Sequence, residues 1–151
     1  MPKISHVGDI IEHARYGRGI ILGCEHKRQN WIFYHAYFEG RNTFSYVASF
    51  NTVQNADDVS IKRAQSILLN SLNNKLGRFQ HGDIVEHPKF GTGIVLGNGN
   101  KRGNRIYYHV FYPKTQTFGY NATFSLVQES DDKTYRKAKN ILFNNILIPA
   151  F

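Results

Sequence analysis

The sequence predicts a mainly β chain with helices, built as two small five-stranded barrels in tandem, each followed by one α-helix. One observation is an internal repeat: residues 8–70 align without a gap on residues 82–144, and 29 of the 63 aligned positions are identical. A second is that each copy holds five short β-forming runs separated by turns, several of them containing glycine. A third is an amphipathic segment at the end of each copy. These features predict two copies of one domain, residues 1–76 and 77–151.

The strands follow one another closely along each copy. In the first copy they are predicted at Asp9–His13, Gly19–Leu22, Trp31–Phe38, Thr43–Tyr46 and Thr52–Gln54. The polar stretch Cys24–Asn30 between the second and third runs is typical of a hairpin loop. Five strands with glycine corners in so short a stretch favour a small SH3-like barrel.

A helix is predicted at the end of each copy. Asp57 and Asp58, with Ser60 close behind, provide an N-cap and acidic groups that complement the helix dipole. Apolar residues then recur along one face at three- and four-residue spacing, at Ile61, Ala64, Ile67 or Leu68, and Leu72 in the first copy and at Tyr135, Ala138, Ile141 or Leu142, and Ile146 in the second. This face is expected to pack on its own barrel or on the other copy.

Composition bounds the functional class. The chain of 151 residues carries a net charge of +8, which favours nucleic-acid phosphates or acidic protein surfaces as partners. A single cysteine, Cys24, excludes an internal disulfide. There is no apolar signal core near the N-terminus and no apolar run of membrane-spanning length. We therefore expect a soluble, cytoplasmic protein with no membrane partner.

The last residues of the chain have a different character. Every side chain from Ile146 to Phe151 is apolar, and this tail has no counterpart in the first copy beyond Leu72. An exposed tail of this composition would promote association. It is therefore expected to be covered by the first copy or by a second chain, which would make a homodimer.

The start of the second copy carries a motif. The run Gly82–Val95 contains His-Pro-Lys-Phe-Gly-Thr-Gly followed by two apolar residues. It resembles the Tudor-like domain that closes UvrD/PcrA-type helicases, and Ala122–Val127 resembles the end of that domain. More distantly, the chain is similar to the RNA-polymerase-interacting domains of CarD and Mfd. The first copy departs from the motif at Ala14, where the second has Pro88.

This resemblance implies two Tudor-like barrels, covering Gly8–Val53 and Gly82–Val127. In the family, such barrels dock on RNA polymerase and other DNA-transacting proteins, and some contact nucleic acid. No helicase motor is implied, because the sequence lacks the glycine-rich phosphate loop that ends in Gly-Lys-Ser/Thr.

Two basic pairs recur at the same position of the repeat. Lys27-Arg28 and Lys101-Arg102 are expected at hairpin tips, and Arg105 adds a further cation in the second copy. Such groups suit contacts with phosphates or with an acidic protein patch. A solvated hairpin tip is the alternative.

A second duplicated feature pairs a cation with an aromatic ring, at Arg15-Tyr16 and at Lys89-Phe90. Such a pair can lie against a base or clamp an extended peptide. Alternatively, the ring plugs the end of the barrel. The abundance of aromatic residues also leaves open a cage for a methylated side chain.

Catalytic and metal sites find little support in the pattern. His13 and His87 each follow a glutamate, and His35 and His109 lie within a strand, but no cysteine cluster or nucleophile–base set accompanies them. The Gly17-x-Gly19 motif lies between strands, where a tight corner is expected rather than a phosphate site. We expect no enzyme activity, no cofactor and no bound metal.

These considerations predict a non-enzymatic binding module. Its expected partners are DNA or RNA backbone and/or RNA polymerase or a repair protein, engaged through basic loops and a barrel edge. The alternative is a phage- or plasmid-encoded protein-only adaptor or inhibitor of a host DNA-processing protein. Salt-dependent binding to nucleic acid distinguishes the two.

Overall fold

The structure, a computed structural model, describes residues 5–28, 31–73 and 78–147, with side chains at 5–23, 31–70, 78–97 and 103–143. Two compact units are present, one holding the chain up to Leu69 and the other comprising Asn70–Phe143. Within the described residues, no helix combines the length and the apolar character needed to cross a membrane.

Each copy of the repeat forms one sheet and one helix. The first copy contains β1 (Ile10–His13), β2 (Gly17–Arg28), β3 (Trp31–Phe38), a 3-10 turn (Glu39–Arg41), β4 (Thr43–Val47), β5 (Asn51–Gln54) and α1 (Asp58–Asn73). The second contains β6 (Ile84–His87), β7 (Gly91–Arg102), β8 (Arg105–Tyr112), β9 (Thr117–Asn121), β10 (Ser125–Gln128) and α2 (Asp132–Leu147). The predicted mainly β class with two helices is confirmed.

The two sheets have the same strand order. All pairings are antiparallel, in the order β4-β3-β2-β1-β5 in the first copy and β9-β8-β7-β6-β10 in the second. The first four strands form a meander, and the fifth returns to pair with the first. This leaves the fourth and fifth strands of each copy at the edges of the sheet.

The second strand is longer than predicted. Residues 24–28, expected in a hairpin loop, continue β2 as far as Arg28, and β7 likewise continues to Arg102. The loop prediction was wrong for residues 24–28 because their pairing with β3 continues as far as Arg28, opposite Trp31. Residues 29 and 30 of the predicted loop lie outside the described residues. The register of β2 against β3 shifts on either side of Gly23, whose φ of +109° favours glycine.

A cluster of buried residues in each copy lies on one face of its sheet. In the first copy it comprises Ile11, Ile21, Tyr34, Ala36, Phe38 and Val47, and in the second Phe79, Val85, Val95, Tyr108, Val110 and Tyr112. Gly19 lies where a Cβ atom would come within 2.5 Å of the Phe38 ring, so a glycine is needed for β1 and β2 to pack over that ring. Gly93 lies in the same relation to Tyr112.

Buried aspartates connect separate segments in both copies. Asp9 accepts hydrogen bonds from the backbone N–H groups of His6 (2.9 Å) and Ala56 (2.8 Å). Asp83 accepts the matching bonds from Gln80 (3.0 Å) and Ser130 (2.9 Å). Each carboxylate therefore joins the segment before the first strand to the segment that leads into the helix.

The predicted helix starts are confirmed. The Oδ1 atom of Asp57 accepts a hydrogen bond from the Ser60 N–H (2.8 Å), and the Ser60 hydroxyl accepts one from the Asp57 N–H (2.9 Å). The bond from the Ser60 N–H, and secondarily the Ser60 side chain, lowers the pKa of the Asp57 carboxyl. Asp131 and Thr134 repeat the arrangement. Ala64 and Leu68 of α1, and Ala138 and Leu142 of α2, are buried as the apolar spacing predicts.

Candidate nucleic-acid interface

A pocket of about 440 Å³ lies in the second copy, where three segments meet. Arg78 and Phe79 come from the segment before β6, Arg105 and Tyr108 from β8, and Phe124 from the connection between β9 and β10. Asn104, Ile106, Ala122 and Thr123 complete the lining. A pocket of this volume falls in the range that accommodates a small ring system.

Three aromatic rings form the floor of the pocket. The Phe79 ring centroid lies 4.6 Å from that of Phe124 and 5.3 Å from that of Tyr108, and the Tyr108–Phe124 distance is 5.9 Å. The Tyr108 hydroxyl accepts a hydrogen bond from the Phe79 N–H at 3.4 Å. Phe79 and Tyr108 are buried and Phe124 is half-buried, so the floor is fixed by packing before any ligand arrives.

Two exposed arginines flank this floor. The Arg78 guanidinium carbon lies 5.4 Å from the Phe79 ring centroid, a cation–π contact that keeps the charge beside the pocket. Arg105 is exposed at the first position of β8. Neither arginine forms an ion pair within the described part of the chain, and no acidic residue lines the pocket. The pocket therefore combines an apolar ring floor with positive charge that nearby carboxylates do not neutralise.

The predicted basic pairs lie at the end of the long hairpins. Arg102 is opposite Arg105 in the β7–β8 register, and Lys101 is one position before it. Lys27 and Arg28 hold the matching backbone positions in β2. The side chains of these four residues lie outside the described part of the structure. Their backbone placement brings the second pair to the strand end that carries Arg105.

The first copy has a different set of residues at the same end. Ser5 stands where the second copy has Phe79, and Trp31 stands where it has Arg105. The frame is retained, because the Tyr34 hydroxyl accepts a hydrogen bond from the Ser5 N–H at 3.1 Å. Trp31 is 53% exposed. The two copies therefore share the backbone arrangement at this end but carry different side chains on it.

The cation–aromatic pairs form the turns between the first and second strands. Tyr16 is half-buried, with its ring centroid 4.9 Å from His13 and 5.0 Å from Phe38. The Arg15 guanidinium carbon lies 5.7 Å from the Tyr16 centroid. In the second copy Phe90 packs against His87 (4.8 Å) and Tyr112 (5.1 Å), with the Lys89 ammonium 5.5 Å from its centroid. Both rings therefore pack within a corner cluster, with a cation on the outside.

The histidines of these turns are bonded to backbone. The Nδ1 atom of His13 accepts hydrogen bonds from the N–H groups of Arg15 (3.0 Å) and Tyr16 (3.2 Å), and His87 does the same for Lys89 and Phe90. Burial, and secondarily the neighbouring cation, lowers the pKa of both histidines. An Nδ1 atom that accepts must be unprotonated, so these bonds and the lowered pKa favour the same neutral form.

The histidines in mid-strand lie within the sheets. His35 is opposite Tyr46 with a ring distance of 5.3 Å, and His109 is opposite Tyr120 with the same distance. Both histidines are buried, and burial lowers the pKa of His35 to about 3. Among the described residues, no group of three or more histidine, cysteine and acidic side chains could hold a metal ion.

Two contributors to this pocket, Arg78 and Phe79, escaped prediction from the sequence. Both precede the first aligned residue of the repeat. Positions at which the two copies differ could have indicated these residues from the sequence. The changes from Ser5 to Phe79 and from Trp31 to Arg105 occur beside residues that are identical in both copies, including Tyr34 and Tyr108.

Comparison with known proteins gave no match to a family model, to a curated protein or to a solved structure.

Proposed function

We propose that the protein is a non-enzymatic module that binds nucleic acid through the basic–aromatic pocket of its second copy. The observation that carries this proposal is the pair Arg78 and Arg105, which have no acidic partner among the described residues, beside a floor of three packed rings. Guanidinium groups suit phosphate oxygens, while the half-buried Phe124 ring, held in place by Phe79 and Tyr108, offers a surface on which a base can stack. Arg102 at the opposing strand end would extend the positive surface.

A single strand is the form of nucleic acid that best fits this pocket. Bases in a duplex are stacked on one another, so their faces cannot reach a ring floor of this kind. An unpaired base is free to enter, with its flanking phosphates near the arginines. DNA and RNA share this chemistry, and both are included in the proposal.

The same proposal includes a finer description of the fold. We infer that each sheet curls into an SH3/Tudor-like barrel, and the return of the fifth strand beside the first supports this. The His87–Gly91 motif lies at the corner between β6 and β7, which agrees with the resemblance to helicase-associated Tudor-like domains. A cytoplasmic role beside RNA polymerase or a repair protein would follow from that resemblance.

A protein partner is the second candidate, favoured by the exposed edge strand β10. Leu126 and Val127 are 44% and 60% exposed on this strand. An edge strand with exposed apolar side chains can pair with an extended segment of another protein. This is the surface that a protein-only adaptor or inhibitor would use.

The test is binding of fluorescently labelled single-stranded oligonucleotides over a range of salt concentrations. The Arg78→Gln/Arg105→Gln variant should bind more weakly, and the slope of log K against log salt should shrink by roughly 0.7 for each lost contact. Phe124→Leu should weaken binding without changing the slope, because it removes a stacking surface and no charge.

The matched control is Lys133→Gln/Lys137→Gln, which removes the same charge from exposed positions of α2. If this control reduces binding and the slope as much as the arginine variant, the pocket is not the site. If the wild type binds no oligonucleotide even at low salt, the edge-strand candidate replaces this proposal. A Leu126→Lys variant then tests whether β10 carries the partner.

A further inference from the structure

The first copy contains a pocket of its own, of about 380 Å³, which includes Tyr16 of the turn described above. Its walls are the apolar surfaces of Ile10, Ile20, Tyr16 and Tyr37, together with the backbone around Gly19. The Tyr37 hydroxyl donates a hydrogen bond to Asn42 at 2.6 Å, which fixes the position of the ring. The pocket is therefore lined mainly by apolar groups held in place by the sheet and the turn after β3.

Charged side chains stand at the rim of this pocket. Arg63 of α1 forms an ion pair with Glu39 of the 3-10 turn, with Nη2 and Oε2 2.5 Å apart. Arg18 on β2 also lines the pocket and is exposed. Glu12 is opposite Arg18 in the β1–β2 register, but among the described residues Arg18 has no ion pair. The lining thus carries two positive charges and one negative charge.

The second copy does not repeat this rim. Thr92, Pro113 and Lys137 stand at the positions of Arg18, Glu39 and Arg63. The Thr92 hydroxyl donates a hydrogen bond to Glu86 at 2.9 Å. Because the backbone framework is shared while both the ion pair and the free arginine are absent, the charged rim is a property of the first copy alone.

We propose that this pocket binds a small monoanion with an apolar ring body, such as an aromatic carboxylate. The ring would lie against the two tyrosines and the isoleucines, and the anionic group would meet Arg18 at the rim. Arg63 would supply a second cation when the ligand anion displaces Glu39 from it. Glu39 then competes with the ligand anion for the Arg63 guanidinium. A substitution of Glu39 alone should therefore change the affinity for the ligand.

The probe is 2-naphthoate, titrated into the full-length protein and followed by the backbone amide signals in nuclear magnetic resonance spectra. The neutral isostere 2-naphthamide has the same ring system without the charge. Naphthoate should shift the amides of Gly17, Gly19 and Gly40 saturably, and naphthamide should bind about fivefold more weakly because it lacks the bond to Arg18.

Three variants define the site. Gly40→Leu should weaken naphthoate binding, because Gly40 lines the pocket and a larger side chain there takes up space at its wall; a Cβ atom at this position meets no heavy atom within 4 Å. Lys114→Leu, at the matching position of the second copy, is its control and should bind as the wild type does. Glu39→Gln should tighten naphthoate binding about two- to fivefold by freeing Arg63, a gain that a folding defect cannot produce.

Any of three results would overturn the proposal. These are the absence of saturable shifts at millimolar naphthoate, equal binding of naphthoate and naphthamide, and unchanged binding by a folded Gly40→Leu variant. Weaker binding by Glu39→Gln would contradict the competition between Glu39 and the ligand. Oligonucleotide binding is measured on the same variants, so failure here is distinguishable from failure of the nucleic-acid proposal.

Discussion

The carboxylate of Asp83 accepts a hydrogen bond from the backbone N–H of Ser130, 2.9 Å away, although 47 residues separate the two. Asp9 makes the corresponding bond with Ala56 in the first copy. Both aspartates are less than 5% exposed. A buried carboxylate with two backbone donors is costly to remove, because each N–H then loses its partner away from water.

We expect Asp83→Asn to lower the free energy of unfolding of the second copy by about 2 kcal/mol. The amide group has only one oxygen to offer, so one of the two N–H donors must face an NH2 group. Urea denaturation followed by circular dichroism measures the change. Asp132→Asn, at an exposed position in the first turn of α2, is the control. A loss no larger than that of the control would contradict the role assigned to Asp83.

Gly19→Ala should destabilise the first copy by about 1–3 kcal/mol. The added methyl group would lie 2.5 Å from an atom of the Phe38 ring and 3.0 Å from the Tyr37 carbonyl oxygen, so the ring or the strand must shift. Gly40→Ala adds the same methyl group where no heavy atom lies within 4 Å. In thermal unfolding, Gly19→Ala should therefore melt at a lower temperature than Gly40→Ala. Equal melting temperatures would show that the Phe38 ring moves aside without loss of stability.

Stability should fall in acid partly because of His35. Burial holds its pKa at about 3 in the folded protein, whereas an unfolded histidine titrates near 6.5. Between these values only the unfolded chain binds the proton, so each unit of falling pH costs about 1.4 kcal/mol of stability. This contribution is complete above pH 6.5 and is lost as the pH falls towards 3.

A His35→Phe variant should therefore show a shallower decrease of unfolding free energy between pH 6 and 4 than the wild type, with urea midpoints measured at each pH. Tyr46→Phe, which changes the ring facing His35 but removes no imidazole, should keep the wild-type slope. If His35→Phe keeps that slope too, the acid sensitivity arises elsewhere.

The hairpin ends give a prediction about the duplicated basic pairs. Changing Lys27, Arg28, Lys101 and Arg102 to alanine should weaken oligonucleotide binding and reduce the salt slope, by roughly 0.7 per lost phosphate contact on a single strand. Because Arg102 pairs with Arg105 beside the proposed pocket, the second-copy pair should account for most of the loss. Equal effects of the two single-copy double variants would argue against a dominant second copy.

Prediction from the sequence succeeded where local chemistry determines the structure. The third strand, Trp31–Phe38, has the predicted bounds because nearly all of its residues favour β structure. The helix starts follow from the cap formed by Asp57 and Ser60. The repeat itself predicted that both copies would share one strand order, since identical residues at matching positions have the same packing partners.

The remaining features depend on contacts between distant residues. Polar composition suggested a loop at Cys24–Asn30, but pairing with β3 decides the end of β2, and composition does not report pairing. Arg78, Tyr108 and Phe124 line the same pocket although they are distant in the sequence. They come together only because the sheet forms. Whether Lys101 and Arg102 contact a ligand stays a prediction, and the same holds for the C-terminal tail, whose last residues, 148–151, lie outside the described part of the chain.

The bonds made by Asp83 and Tyr108 determine where an autonomous second copy must begin. Alignment of the repeats suggests a start at Gly82, yet Phe79 and Gln80 donate backbone hydrogen bonds to Tyr108 and Asp83. A fragment cut at Gly82 would expose the ring floor and leave two acceptors without their donors. A fragment cut before Arg78 keeps both bonds and also keeps Arg78, which a cut at Gly82 would delete. Limited proteolysis should accordingly spare the peptide bonds just before Gly82.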